Sequence, residues 1–320
     1  MKNGLFHGYN CFATAVGQHF LNIKNLSSTD PLVYRWTFDY NKYWVDDNVW
    51  SVGACVEATD YLLQYDLMLN DGIRIIEQQE KSLQDDLLQM NVQIAEYGSY
   101  VIMVDFYYLK SIEWERMKRF GYFPQHLPHF ICVIRVEDDA ITYQDPMYGF
   151  EGNMSMEDYE KARELTVCGV NKNWTYYVFD FTKQKNVSNE ERIKFQLERY
   201  MYNQQYSYIQ KFAKTFIEKK EEFINKGKFD WAFSFYLALE SVTLQRQGFM
   251  MGATKQFPQC QGIFNPLIRN WIKVRTSFLK IHKEKNTKYL ADVNNVLNEI
   301  VEQEKDVPEI LLERIIYDRR

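Results

Sequence analysis

The hydrophobic rhythm of this chain breaks near Lys185, and that break constrains its fold more than any other feature. Before it, short β-type runs alternate with helical stretches: residues 100–104, 129–136, 140–144 and 174–181 carry the β-branched and aromatic residues of buried strands. Beyond it the strand pattern stops. Ser188-Asn189-Glu190-Glu191 forms a capping box, and apolar residues then recur at helical spacing to Arg320, with interruptions expected at Gly227, near Gly248–Pro258 and at Pro308. A chain of 320 residues exceeds the usual size of one hydrophobic core. The pattern predicts an α+β domain over 1–185 and an all-helical domain over 186–320.

Within the first domain, residues 11–22, 54–70 and 76–91 read as helices, while 30–52, aromatic and acidic, reads as loop and short strand. The run 129–136, the turn Glu137-Asp138-Asp139 and the run 140–144 form a hairpin, and residues 174–181 supply a strand to close the sheet. Charge changes where the pattern does. Residues 1–182 hold 14 Lys and Arg against 26 Asp and Glu, whereas residues 183–285 hold 19 against 9. The basic stretch would either complement the acidic first domain or steer an acidic partner; its cations are scattered over amphipathic helices, a poor fit to nucleic acid. No apolar run approaches a membrane span, and the opening residues do not read as a signal peptide. The five cysteines, Cys11, Cys55, Cys132, Cys168 and Cys260, form no CxxC pair. That argues against a disulfide framework or a zinc site and for a reducing cytoplasm.

One cysteine stands in a chemical pattern. Cys11 opens the first predicted helix, where unpaired backbone N–H groups and the macrodipole favour a thiolate. His129 opens one strand of the hairpin and Asp145 ends the other, so the hairpin would bring them to one end of the sheet. A thiol, a base beside it and a carboxylate to orient the base make a nucleophilic triad. Each residue also has a plainer use: a buried small apolar residue, a strand-edge histidine, a turn initiator before Pro146. Cys55, Cys132 and Cys168 lie among apolar neighbours and read as core.

The segment PHFICVIRVEDDAITYQDPMYG resembles the His strand, turn and Asp-Pro strand of double-glycine leader peptidases, which are papain-like. A closer resemblance is to the N-terminal domain of the butirosin biosynthesis protein H family, carried in order by NCFATAVGQHF, YVIMVDFYYLK, the HFICVIRV…DP hairpin and MSMEDYEKAREL, over about residues 5–180. That resemblance implies a papain-like cysteine fold and a Cys11, His129, Asp145 triad. It implies transfer of an acyl group from a carrier-protein phosphopantetheine thioester to an amine, in specialised metabolism. Asp105, Tyr107 and Tyr108 would line the substrate pocket, with Asp105 accepting from a cationic amine; the alternative is that the tyrosines pack and Asp105 caps a turn. The acidic aromatic stretch Asp39-Tyr40, Trp44, Asp46-Asp47 and Trp50 would line it too, or form a solvated loop. The family commonly has His before the Cys, where this chain has Asn10, and no Gln precedes Cys11. Asn10, His7 or backbone N–H groups are therefore the candidate oxyanion donors. The same triad would serve a cysteine peptidase or amidohydrolase, and a catalytically silent scaffold is the remaining alternative.

Overall fold

The computed structural model describes residues 5–23, 30–40, 56–57, 60–119, 123–124, 126–167, 169–225 and 229–317. It is an α+β molecule with two compact units, one from residues 1–32 and 63–185, the other from 33–62 and 186–320. The sequence reading put all of 1–185 in one domain; residues 33–62 instead belong with the helices.

In chain order the elements are α1 (Cys11–Asn22), the paired short strands β1 (Asp39–Tyr40) and β2 (Val56–Glu57), α2 (Asp60–Asp66), β3 (Arg74–Gln79), α3 (Leu83–Tyr97), β4 (Tyr100–Asp105) and α4 (Trp114–Lys118). They continue with β5 (Pro128–Val136), β6 (Ala140–Asp145), β7 (Phe150–Ser155), α5 (Met156–Arg163), the pair β8 (Thr166–Val167) and β9 (Val170–Asn171), and β10 (Thr175–Asp180). Then come α6 (Asn189–Tyr202), α7 (Tyr206–Asn225), α8 (Asp230–Gln256), α9 (Gln261–Glu284) and α10 (Leu290–Tyr317).

Six strands form one antiparallel sheet in the order β3-β10-β4-β5-β6-β7. β4 is buried along its whole length, as its unbroken apolar run requires. α1 packs on β5 and β10. The Phe12 ring lies 4.9 Å from Phe130 and 5.0 Å from Tyr177, and the buried Cys132 thiol donates to the Ala15 carbonyl at 3.0 Å. Deeper along α1, His19 stacks on Phe179 at 4.2 Å and meets Ser99 Oγ at 2.8 Å through Nδ1. Burial pulls its pKa down to about 3, so it sits in the core as a neutral ring. A buried ion pair ties the layers: Arg163 Nη2 donates to Asp86 Oδ1 at 2.8 Å, and Tyr100 and Tyr159 donate to the same carboxylate.

Several expectations fail for physical reasons. The helix expected over 76–91 starts only at Leu83, behind the Ser82 cap. Arg74–Gln79 is instead a strand, paired with β10 from Arg74↔Asp180 to Gln79↔Thr175; sheet pairing outweighs the helical leaning of Glu and Gln. β10 itself lies inside the sheet rather than closing it. In the 54–70 stretch, Val56–Glu57 is a strand and the helix begins at Asp60. α8 runs through Gly248 and ends at Gln256, so the break expected near Gly248–Pro258 falls at the far end of that window, whereas α10 runs through Pro308. Glycine on this face of α8 serves close approach: a Cβ on Gly252 would sit 2.5 Å from the Tyr34 ring. Buried Val307, Leu311 and Ile315 hold α10 across its proline. The Ser188–Glu191 capping box forms as read; Gly227 lies outside the described residues.

In the helical unit Tyr34, Trp36, Phe38 and Tyr40 are core residues. Their extended backbone is satisfied by glutamines of the surrounding helices: Thr37 N–H donates to Gln245 Oε1 at 2.7 Å, Phe38 N–H to Gln205 Oε1 at 3.2 Å and Trp36 N–H to Gln196 Oε1 at 3.4 Å. Among the described residues no helix is long and apolar enough to cross a membrane.

Candidate active site

Cys11 is the first residue of α1, and the chain before it is held by specific contacts. Asn10 is extended and caps the helix, its Oδ1 accepting the Ala13 N–H at 2.7 Å. Upstream, Phe6 N–H donates to Gln18 Oε1 at 2.9 Å, and a Cβ on Gly17 would stand 2.2 Å from the Phe6 ring. The approach segment is thus packed against α1. Cys11 is half-buried, while Cys132 and Cys260 are buried.

His129 is the second residue of β5, paired with Val104 of β4. Its side chain is 5% exposed and that of Asp145, the last residue of β6, 0%. His129 Nε2 lies 3.1 Å from Asp145 Oδ2, and Cys11 is close enough to act on the charge of the ring. The structure therefore brings the three sequence-predicted residues together. Burial alone would pull the His129 pKa down. The Asp145 carboxylate and Cys11 outweigh it and raise the pKa to about 10, so the ring is an imidazolium at neutral pH.

Ser111 holds Asp145 directly, and Tyr143 holds the backbone of Ser111. Ser111 Oγ donates to Asp145 Oδ2 at 2.6 Å, and Tyr143 Oη accepts the N–H groups of Lys110 and Ser111 at 3.0 and 3.2 Å. Asp145 Oδ1 is buried with no hydrogen-bond partner among the described residues. Sequence reading missed both. Tyr143 was legible in principle, because it precedes Asp145 by two in a strand and shares its face; Ser111, in an irregular stretch before α4, carries no sequence signal. Phe106 and Tyr148 wall the histidine, with ring centres 5.1 and 5.8 Å from it.

The remaining candidates fall differently. His7 is exposed, and Asn10 commits its side-chain oxygen to the cap. The donor of Asn10 is Nδ2 and not the capping oxygen, so Asn10 stands as a candidate beside the backbone N–H groups of Cys11 and Phe12, which have no carbonyl partner within the helix. Asp105 is not an open acceptor for an amine. Its Oδ1 takes the Tyr107 N–H at 3.0 Å and its Oδ2 lies 2.6 Å from His126 Nδ1. Tyr107 is 42% exposed and stacks on His126 at 4.5 Å; Tyr108 meets Tyr107 edge-on. Asp39 Oδ1 accepts its neighbour's N–H and Tyr40 is buried in the helical unit's core; Trp44, Asp46, Asp47, Trp50, Cys55 and Cys168 lie outside the described residues. Among the described residues no group of three or more His, Cys, Asp or Glu side chains forms a metal site. Compared with protein-family models and with curated proteins, the chain matches none.

Proposed function

We propose that this protein is a cysteine-dependent acyltransferase of papain-like architecture, carrying an acyl group from a thioester to an amine through Cys11. The observation that carries the reading is the buried His129–Asp145 pair, with its 3.1 Å bond, beside a thiol at a helix N-terminus. A cysteine helix packed on an antiparallel sheet whose strand ends bear His and Asp supports the papain-like assignment. The resemblance of residues 5–180 to the butirosin family supports transfer over hydrolysis, and the basic stretch 183–285 suits docking of an acidic carrier protein bearing the phosphopantetheine thioester.

The chemistry follows from the charges. The imidazolium and the N–H groups of the first helical turn stand where negative charge is carried by the Cys11 sulfur during the reaction. The sulfur attacks the thioester carbonyl, the oxyanion meets the Cys11 and Phe12 N–H groups, and the C–S bond to the carrier breaks as His129 gives its proton to the departing thiolate. The acyl-enzyme then holds a neutral His129. When an amine attacks, His129 takes a proton from its nitrogen and the Cys11–acyl bond breaks, restoring the ion pair. Asp145 holds the ring and stabilises its charged form throughout.

Incubating the protein with an acyl-loaded carrier protein should give an acyl adduct on Cys11 by mass spectrometry, converted to amide on adding amines. Cys11→Ala should remove the adduct and lower turnover by several orders of magnitude with the fold intact. Peptide cleavage that depends on Cys11, without loading from any thioester, would replace transferase with peptidase.

A further inference from the structure

Amide formation from an ammonium poses a proton count that His129 alone does not meet. An alkyl primary amine is protonated near neutral pH. Its nitrogen carries three hydrogens as the ammonium and one as the amide, so two protons must leave. His129 takes one and keeps it in the restored ion pair; the other is lost either in bulk water, where only a small fraction of such an amine is neutral near pH 7, or to a second base beside the site, which lets the abundant charged form be used.

The structure holds a second histidine–carboxylate pair at the same end of the sheet. Asp105 ends β4, where it pairs with Pro128 while Val104 pairs with His129. Its carboxylate is 6% exposed and lies 2.6 Å from Nδ1 of His126, whose side chain is 64% exposed. A carboxylate facing Nδ1 fixes the neutral ring in the tautomer with hydrogen on Nδ1 and a lone pair on Nε2. Tyr107, stacked on the ring at 4.5 Å, sets its plane. Phe106, between Asp105 and Tyr107 in the chain, lays its ring 5.1 Å from His129, and its N–H is held by the Leu127 carbonyl at 2.8 Å. One short turn therefore wires the exposed His126 and the buried His129 to the same frame.

We infer that His126, oriented by Asp105 and Tyr107, is the base that removes the first proton from an incoming ammonium acceptor. This rests on the transferase reading above. Nε2 of His126 takes a proton from the ammonium and passes it to water. The neutral amine then attacks the Cys11 thioester and gives its second proton to His129. The acceptor class is thus a basic primary amine delivered in its charged form.

The test pre-loads the intact protein with an acyl N-acetylcysteamine thioester and chases with two kinds of amine near pH 7. Ethanolamine and putrescine arrive as ammonium ions. Methoxyamine, whose oxygen withdraws charge, arrives neutral and loses only one proton. His126→Gln should leave Cys11 loading and the melting temperature unchanged, because the ring is exposed. It should slow transfer to ethanolamine or putrescine about 100-fold and spare methoxyamine, and the slowed rate should recover as pH rises and the amine deprotonates unaided. Equal slowing of both kinds of amine, or slowing that pH does not relieve, would overturn the base assignment, as would an unchanged variant. A wild type that loads Cys11 yet yields amide with no amine would overturn the transferase reading, and the role of His126 with it.

Discussion

In the helical unit Glu304 is wholly buried and takes donors on both oxygens: Arg246 Nε at 2.8 Å and Trp271 Nε1 at 2.7 Å on one, Arg246 Nη2 and Tyr200 Oη at 2.9 Å on the other. In the strand-built unit Asp145 is equally buried, but Oδ2 takes Ser111 and His129 while Oδ1 takes no one among the described residues. Both carboxylates meet a cation, and the surroundings decide what the charge does. Glu304 faces a permanent guanidinium in a saturated shell, so its charge is absorbed in holding α8, α9 and α10 together. Asp145 faces a ring that can lose its proton, in a shell left incomplete, so its charge acts on a titration instead. Asp86, saturated by Arg163, Tyr100 and Tyr159, is of the first kind although it lies in the same unit as Asp145.

Neutralising the two carboxylates should break the comparison most sharply. Asp145→Asn should lower kcat/KM by about 1,000- to 10,000-fold, because the amide no longer stabilises the imidazolium and favours the wrong tautomer, and should cost only the stability that the charged His129 contributes, leaving the protein folded. Glu304→Gln should do the reverse. It strands Arg246 in the core and should cost about 3–5 kcal/mol in urea unfolding, while the turnover of the molecules that remain folded is unchanged. A catalytic collapse in Glu304→Gln at full stability, or unfolding in Asp145→Asn, would erase the distinction. Ser111→Ala is the intermediate case. Losing a buried donor to a charged acceptor should lower activity about 10-fold, move the His129 titration seen by NMR, and be partly rescued by Ser111→Thr.

The smallest expected effect concerns pH. The His129 pKa is raised to about 10, so its contribution to stability is complete below the unfolded value of about 6.5 and is lost as pH rises through about 10. His19, lowered to about 3, has the opposite sign: its contribution is present above about 6.5 and is lost as pH falls towards 3. Cys11→Ala removes the sulfur's share of the His129 shift. Urea midpoints should then fall less steeply on the alkaline side than in wild type, and identically on the acid side. Parallel alkaline limbs would mean that Cys11 and His129 are not coupled.

The clustering of Cys11, His129 and Asp145 was legible because nucleophilic chemistry asks for particular residue types at particular element ends, and these three supply them within simple strand and helix patterns. The shell around it was not. Ser111 reaches Asp145 across 34 positions of sequence, and a serine in an irregular stretch does not announce its acceptor. His126 reads as a loop residue until Asp105 is seen turned towards it. Strand β3 was hidden because Arg-Ile-Ile-Glu-Gln-Gln suits either period, and only pairing with β10 decides. The aromatic run at 34–40 plainly wanted burial, but composition does not say against which helices.

That aromatic run also sets an order of events as the chain is made. Trp36 and Phe38 leave the ribosome early, yet Gln196, Gln205 and Gln245, which satisfy their backbone, come some 160 to 210 residues later. The strand-built unit has all its residues once Lys185 has emerged, while a loop of four buried aromatics inserted in it still lacks its surroundings. A nascent or truncated chain ending there would carry a sticky, unpaired segment, exposed to aggregation and to chaperones, until the last helices arrive. Folding of the strand-built unit and solubility of the whole are thus separated in time.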